Sequence, residues 1–216
     1  MSKKYEIFLF DLDGTITDSA LGITNSVMYA LKKFGIEETD RTKLYKFIGP
    51  PLTESFEKFY GFTKEQSLDG VKYYREYYHD KGIYENCVYD GLEEVLKKIN
   101  EAGKQAIVAT SKPEEYAKII IDHFQLTKYF ACVAGMEMDG GRGTKAQVIT
   151  YALEKNDITD KSNVLMIGDR EHDVIGAHEN GLDCLGILYG FGSRKEFEEA
   201  GADYIRENVE DILQFV

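Results

Sequence analysis

No stretch of this 216-residue chain approaches the roughly 18 apolar residues that a membrane-spanning helix needs. The opening MSKKYE is not followed by the apolar core of a signal peptide. Positive charge is scarce: 26 Lys and Arg stand against 38 Asp and Glu, a net charge of −12. That deficit argues against a nucleic-acid backbone or an anionic membrane as the resting partner. A phosphate-bearing ligand would have to meet a local patch of cations. Cysteine is sparse too. Cys87, Cys132 and Cys184 are scattered and odd in number, which suits free thiols in a reducing cytoplasm rather than a disulfide framework or a zinc site. Internal repeats and low-complexity tracts are absent. A composition 43% hydrophobic supports a real core in one large domain or two small ones. The expectation is a cytoplasmic protein.

What is present centres on Ile7 to Ser19, IFLFDLDGTITDS. Ile7-Phe8-Leu9-Phe10 has no polar break and suits a strand buried on both faces of a parallel sheet. Asp11 follows at its carboxyl end, where ligands bind in open α/β sheets. Gly14 permits a sharp turn. In extended chain, Asp11 and Asp13 point one way and Leu12 points back into the protein. At about 4 Å and an effective dielectric near 20, two such carboxylates repel by about 4 kcal/mol, so one takes a proton or a cation sits between them. Mg²⁺ suits that position, being hard and oxygen-seeking. A solvated Asp-Gly turn is the alternative reading of the same residues.

The next segment changes character. Leu21, Val27, Met28 and Leu31 recur at helical spacing up to Gly35, and Thr39 to Phe47 reads as a short helix. Gly49-Pro50-Pro51 breaks the chain; helices follow around Leu52 to Phe59 and from Thr63 to Asp80. Tyr73, Tyr74, Tyr77 and Tyr78 on the latter read as a packing stripe whose phenols reach the surface. No strand pattern interrupts residues 20–82, an insert far longer than an ordinary connection. From Gly91 onward helix and strand patterns alternate, with apolar strands at Ala106-Ile107-Val108-Ala109, Phe130 to Ala134, Val164 to Ile167 and Cys184 to Leu188. That order predicts a parallel sheet. The fold class is therefore α/β, a Rossmann-like parallel sheet core in 1–16 and 89–216 with an inserted all-helical cap in 17–88. Right-handed crossovers bring the strand ends to one edge of the sheet.

DLDGT at the first strand, Thr110-Ser111 after the second, Lys145 in GGRGTKAQVI and GDREHD at 168–173 occur in that order. Together they resemble the signatures of the haloacid dehalogenase superfamily, phosphotransferases that work through an aspartyl-phosphate. The resemblance covers nearly the whole chain and is closest to the phosphoglycolate-phosphatase-like branch, which carries a helical cap. It implies Asp11 as nucleophile, Asp13 as proton carrier and, through its backbone carbonyl, a metal ligand. Gly14, Thr110, Ser111 and Lys145 form the implied phosphate-binding set, with Thr110 and Lys145 also acting in catalysis. Asp11, Asp13, Asp169 and Asp173 form the implied Mg²⁺ set. Ser111 is also expected to cap the helix beginning at Pro113. Many members have proline soon after the lysine, where this chain has Ala146-Gln147, so Arg142 stands as the alternative cation. His172 reads as a bystander, and Lys46 with the Gly49-Pro50 loop as cap contacts. The implied activity is Mg²⁺-dependent hydrolysis of a small phosphomonoester such as phosphoglycolate or a nucleoside monophosphate. A phosphomutase, a receiver-like phospho-acceptor and a silent binding protein are the alternatives.

Overall fold

A computed structural model of the chain describes residues 3–138 and 141–216. Gly140 of the glycine-rich stretch lies outside the described residues. The chain divides into two compact units, Met1–Thr17 with Val88–Val216, and Asp18–Cys87.

The first unit is a six-stranded sheet with helices. Its strands are β1 (Ile7–Phe10), β4 (Gln105–Pro113), β5 (Phe130–Met136), β6 (Val164–Gly168), β7 (Asp183–Ile187) and β8 (Tyr204–Arg206). The helices are α4 (Leu92–Glu101), α5 (Glu114–His123), α6 (Lys145–Lys155), α7 (Glu171–Glu179) and α8 (Arg194–Ala200). Two short strands, β2 (Thr17–Asp18) and β3 (Cys87–Val88), form a separate two-stranded sheet. The large sheet runs β5-β4-β1-β6-β7-β8, and every pairing in it is parallel. This is the parallel α/β architecture expected from the strand and helix patterns.

The order explains where the site falls. After β1 the chain lays down β4 and β5 on one side, then returns to place β6, β7 and β8 on the other. β1 is thus the topological switch point, and the crevice beyond its carboxyl end is lined by β4 and β6. Phe10 is level with Val108 on one side and Ile167 on the other, so Asp11 emerges beside Ala109 and Gly168. Phe8, Leu9 and Phe10 are fully buried, as an interior parallel strand requires. On one face Leu9, Ile107, Met166 and Cys184 pack with Val148, Ile149, Ala152, Val174 and Ala177, which anchors α6 and α7 over the switch point.

The second unit is helical: α1 (Ala20–Lys33), α2 (Leu52–Tyr60) and α3 (Lys64–Asp80). Arg41–Phe47, expected as a helix, is a 3-10 helix that Asp40 caps through Thr42 N. Thr63 and Gln66 close a capping box that fixes the start of α3. Tyr74 and Tyr78 are buried and stack on each other at 5.3 Å, so half of the tyrosine stripe is core. Phe47 packs against Phe56, Phe59 and Tyr60. No helix among the described residues is long and apolar enough to cross a membrane.

Candidate active site

Beyond Phe10 the chain curls tightly. The Leu12 carbonyl accepts from the N–H groups of Thr15, Ile16 and Thr17, and the Leu12 side chain is buried. Asp11 itself donates its N–H to the Ile167 carbonyl at 2.9 Å, which continues the β1–β6 ladder by one residue and fixes its side chain at the edge.

Lys145 reaches that edge because of how α6 begins. Thr144 and Gln147 make a reciprocal capping box, each side chain bonding the other's N–H at 3.2 Å, which makes Lys145 the first helical residue. Gln147 thus holds the start of the helix in place. Lys145 Nζ donates to the Ala109 carbonyl at 3.1 Å and lies 2.8 Å from Asp11 Oδ1 and 2.7 Å from Asp173 Oδ1. Besides the Lys145 ammonium, neither of those carboxylate oxygens has a hydrogen-bond donor among the described residues. Arg142 is engaged elsewhere, with Glu137 at 2.5 Å, Glu114 at 3.7 Å and the Gly135 carbonyl at 3.0 Å.

Asp169 follows β6 and is almost wholly buried. Its Oδ2 accepts from the Phe191 N–H at 2.9 Å, while Oδ1 is buried with no hydrogen-bond partner among the described residues. Asp173 lies in the first turn of α7, where its Oδ2 accepts from the Arg170 N–H at 3.0 Å. Burial raises the Asp169 carboxyl well above its ordinary value, and Asp173 and Asp11 push the same way. Burial likewise raises Asp11; Lys145 opposes this, and Asp173 adds to it. Burial alone would depress the Lys145 ammonium, but Asp11 and Asp173 outweigh it and hold the lysine charged.

These residues fit a hard divalent cation. Asp11, Asp169 and Asp173 each offer an oxygen, all within 4.8 Å of one another. Asp11, Asp169 and Asp173 carry three negative charges when ionised, and the buried Lys145 one positive charge. The remainder matches one divalent ion, and the unpartnered Asp169 Oδ1 is the atom that such an ion would satisfy.

The side chain of Asp13, whose expected metal contact is through its backbone carbonyl, stands outside the carboxylate trio; its Oδ2 accepts from Lys112 Nζ at 2.6 Å. Gly14, which the resemblance puts in the phosphate-binding set, donates its N–H to the Thr17 carbonyl at 2.8 Å. Gly14, with φ +80, instead makes room for the Asp169 carboxylate, which a Cβ there would overlap. Ser111 does not cap a helix, because β4 continues to Pro113 and α5 starts at Glu114 without a side-chain cap. Thr110 is buried at the edge, and its Oγ1 accepts from the Lys112 N–H at 3.2 Å. His172 is half-buried, and Lys46 Nζ lies over the Phe59 ring at 4.3 Å.

Two features escape the sequence patterns. Lys112 lies two residues past Thr110 on β4, a spacing that signals one shared face. The loop Tyr189-Gly190-Phe191-Gly192 wraps Asp169, and a Cβ on either glycine would collide with Asp169. Its signal is a pair of glycines just past a buried strand.

Residues 8–187 match the family model described as haloacid dehalogenase-like hydrolase. The chain is 44% identical over 193 residues to a 5'-nucleotidase of Pseudomonas aeruginosa, covering 89% of this chain and 87% of that protein. It is 35% identical to the tyrosine-protein kinase PtkA of Mycobacterium tuberculosis, covering 87% of this chain and 63% of that protein's length. A crystal structure described as a predicted phosphatase from Clostridium acetobutylicum superposes with a TM-score of 0.94 at 47% identity, covering 98% of each chain. With its acids, hydroxyl and lysine gathered at the end of β1 and a family model matched over most of its length, the chain belongs to the haloacid dehalogenase-like hydrolases, on their phosphatase side.

Proposed function

We propose that this protein is a Mg²⁺-dependent phosphatase that hydrolyses a small phosphomonoester through an aspartyl-phosphate on Asp11. The observation that carries this reading is the buried Asp11 carboxylate, 2.8 Å from Lys145 Nζ and within 4.8 Å of oxygens of Asp169 and Asp173. A carboxylate so placed can attack phosphorus while the lysine offsets the charge of nucleophile and phosphate.

An Asp11 oxygen bonds to phosphorus as the bond to the leaving oxygen breaks, and that oxygen takes a proton from Asp13. Water then attacks the phosphorus and gives a proton to Asp13. The Asp11–phosphorus bond breaks, releasing inorganic phosphate and restoring both carboxyl groups. Thr110, Ser111 and Lys145 hold the equatorial oxygens. Magnesium, held by Asp11, Asp169, Asp173 and the Asp13 carbonyl, would supply Lewis-acid neutralisation of phosphoryl charge. The helical unit, the proposed cap, supplies substrate selection. The 5'-nucleotidase relative puts nucleoside monophosphates first among substrates to try, with phosphoglycolate next. Cys87, Cys132 and Cys184 form no disulfide among the described residues, which suits a cytoplasmic setting.

Phosphate release from an aryl phosphate and from nucleoside monophosphates, with magnesium and with chelator, tests this. The expected result is release that needs magnesium and is abolished in Asp11→Asn with the fold retained. Undiminished turnover by that variant rejects the reading. Isomerisation without phosphate release marks a phosphomutase instead.

A further inference from the structure

Lys112 and Asp13 form an ion pair that the metal-binding trio does not explain. The two side chains are 6% and 12% exposed, and Nζ lies 2.6 Å from Oδ2. The other oxygen, Asp13 Oδ1, is buried with no hydrogen-bond partner among the described residues. The ladder between β4 and β5 shifts register between Thr110 and Pro113, at the turn of chain that carries Lys112. Just there the backbones close up: a Cβ on Gly135 would stand 2.6 Å from the Lys112 carbonyl. Thr110 Oγ1 accepts from the Lys112 N–H at 3.2 Å, so the residue beside Asp11 also fixes the backbone from which Lys112 projects. Two elements of the fold therefore aim this ammonium at Asp13 Oδ2.

A buried lysine held in this way restricts rotation of the carboxylate. With Oδ2 committed to Lys112, the two oxygens of Asp13 are no longer equivalent. We propose that Lys112 is a positioning residue for the reaction, clamping Asp13 by Oδ2 so that Oδ1 is the oxygen that exchanges a proton with the leaving group and then with water. This rests on the phosphatase reading and deepens it. Lys112 touches no reacting atom. It fixes the direction of the proton transfer, and a misaimed carboxylate slows both half-reactions.

The test is a double-mutant cycle with the aryl phosphate as probe, using Lys112→Met, Asp13→Asn and the pair together. Lys112→Met is expected to lower kcat by about 30-fold or more, a share of the rate a positioned acid contributes, with KM within about threefold. Lys112→Arg, which can still reach Oδ2, is expected to restore most of it. On the Asp13→Asn background, Lys112→Met is expected to add no more than about a twofold loss, because the residue it positions is gone. Acid-quenched phosphoenzyme supplies a readout separate from turnover: its level changes in Lys112→Met and not between Asp13→Asn and the double variant. Should Lys112→Met fail to fold, Lys112→Gln takes its place in the same cycle. Wild-type kcat in the folded Lys112 variant overturns the clamp, as do losses that multiply in the double variant. If Asp13→Asn itself turns over normally, it is the proton-carrier role in the phosphatase reading that fails.

Discussion

Gly14 lies so close to Asp169 that any side chain at residue 14 would occupy the space of the Asp169 carboxylate. The glycine has φ +80, and the Asp169 oxygen it faces is pinned from behind by the Phe191 N–H at 2.9 Å. Neither partner can yield easily. Gly14→Ala is therefore expected to cost about 1–2 kcal/mol of stability from the left-handed backbone alone. Displacement of Asp169 should also weaken magnesium binding. Thermal melts with chelator and with magnesium check both. Unchanged magnesium stabilisation in the variant would show that Asp169 had not been displaced.

Asp169 itself makes a prediction of the opposite sign. Its carboxyl is harder to ionise in the folded chain than in the unfolded one, chiefly through burial and then through Asp173 and Asp11. An acid raised in this way subtracts stability as pH climbs past its unfolded value, near 3.9, and subtracts nothing below it. Asp169→Asn keeps an acceptor for Phe191 and removes the charge. It is expected to raise the melting temperature at pH 7 in chelator, by the equivalent of about 1–2 kcal/mol, with the gain fading in acid. Magnesium should stabilise the wild type and not the variant. A lower melting temperature for the variant in chelator would contradict this account.

The sheet and the edge that collects Asp11, Asp169 and Lys145 are legible because unbroken apolar strands end in polar residues at fixed places. Strand ends can be seen in sequence when hydrophobicity stops with them. β4 shows the limit of that signal: its apolar pattern stops at Ala109, yet pairing continues to Pro113. A strand that outruns its apolar pattern makes Ser111 look like a helix cap and hides Lys112. Gly14 has the local pattern of a turn residue and phosphate donor, whereas its crowding by Asp169 is a contact between distant parts of the chain that no local pattern encodes. Ala146-Gln147 departs from the proline-bearing pattern around Lys145, and the capping box that Gln147 closes accounts for that second residue.

Away from the site, Asp183 sets a pH dependence. Its Oδ2 lies 2.8 Å from Lys3 Nζ and accepts from the Tyr5 hydroxyl at 2.5 Å. Burial works to raise its carboxyl, but Lys3 and Tyr5 outweigh it and hold it below the ordinary range. A depressed acid contributes stability that is present above its unfolded value and lost as pH falls through its folded one. The pair is partly exposed, so the contribution is screened. Asp183→Asn is expected to destabilise by about 1 kcal/mol at pH 7, less in high salt, and to converge with the wild type in strong acid. Urea titrations between pH 2 and 7, on the principle that this slope reports proton uptake, check it. A difference that stays constant down to pH 2 would exclude Asp183 as the source.

Lys145 and Arg142 provide the sharpest contrast between two cations three residues apart. Lys145 is buried against Asp11 and Asp173, whereas Arg142 is bound to Glu137, Glu114 and the Gly135 carbonyl. Lys145→Met leaves two buried carboxylates facing each other without their ammonium, a change that costs about 3–5 kcal/mol where a buried pair is broken. Magnesium should recover part of that stability by supplying the missing positive charge. It cannot restore the lysine's place beside Asp11, the proposed nucleophile, so kcat is expected to remain down by about 10²–10³ at saturating magnesium, the range for losing one preorganised electrostatic contact. Arg142→Ala removes a surface network and is expected to keep activity within about threefold. Steady-state kinetics on the two variants at saturating magnesium decide the matter. A large loss in Arg142→Ala with near-normal turnover in Lys145→Met would move the catalytic cation from α6 to the loop before it.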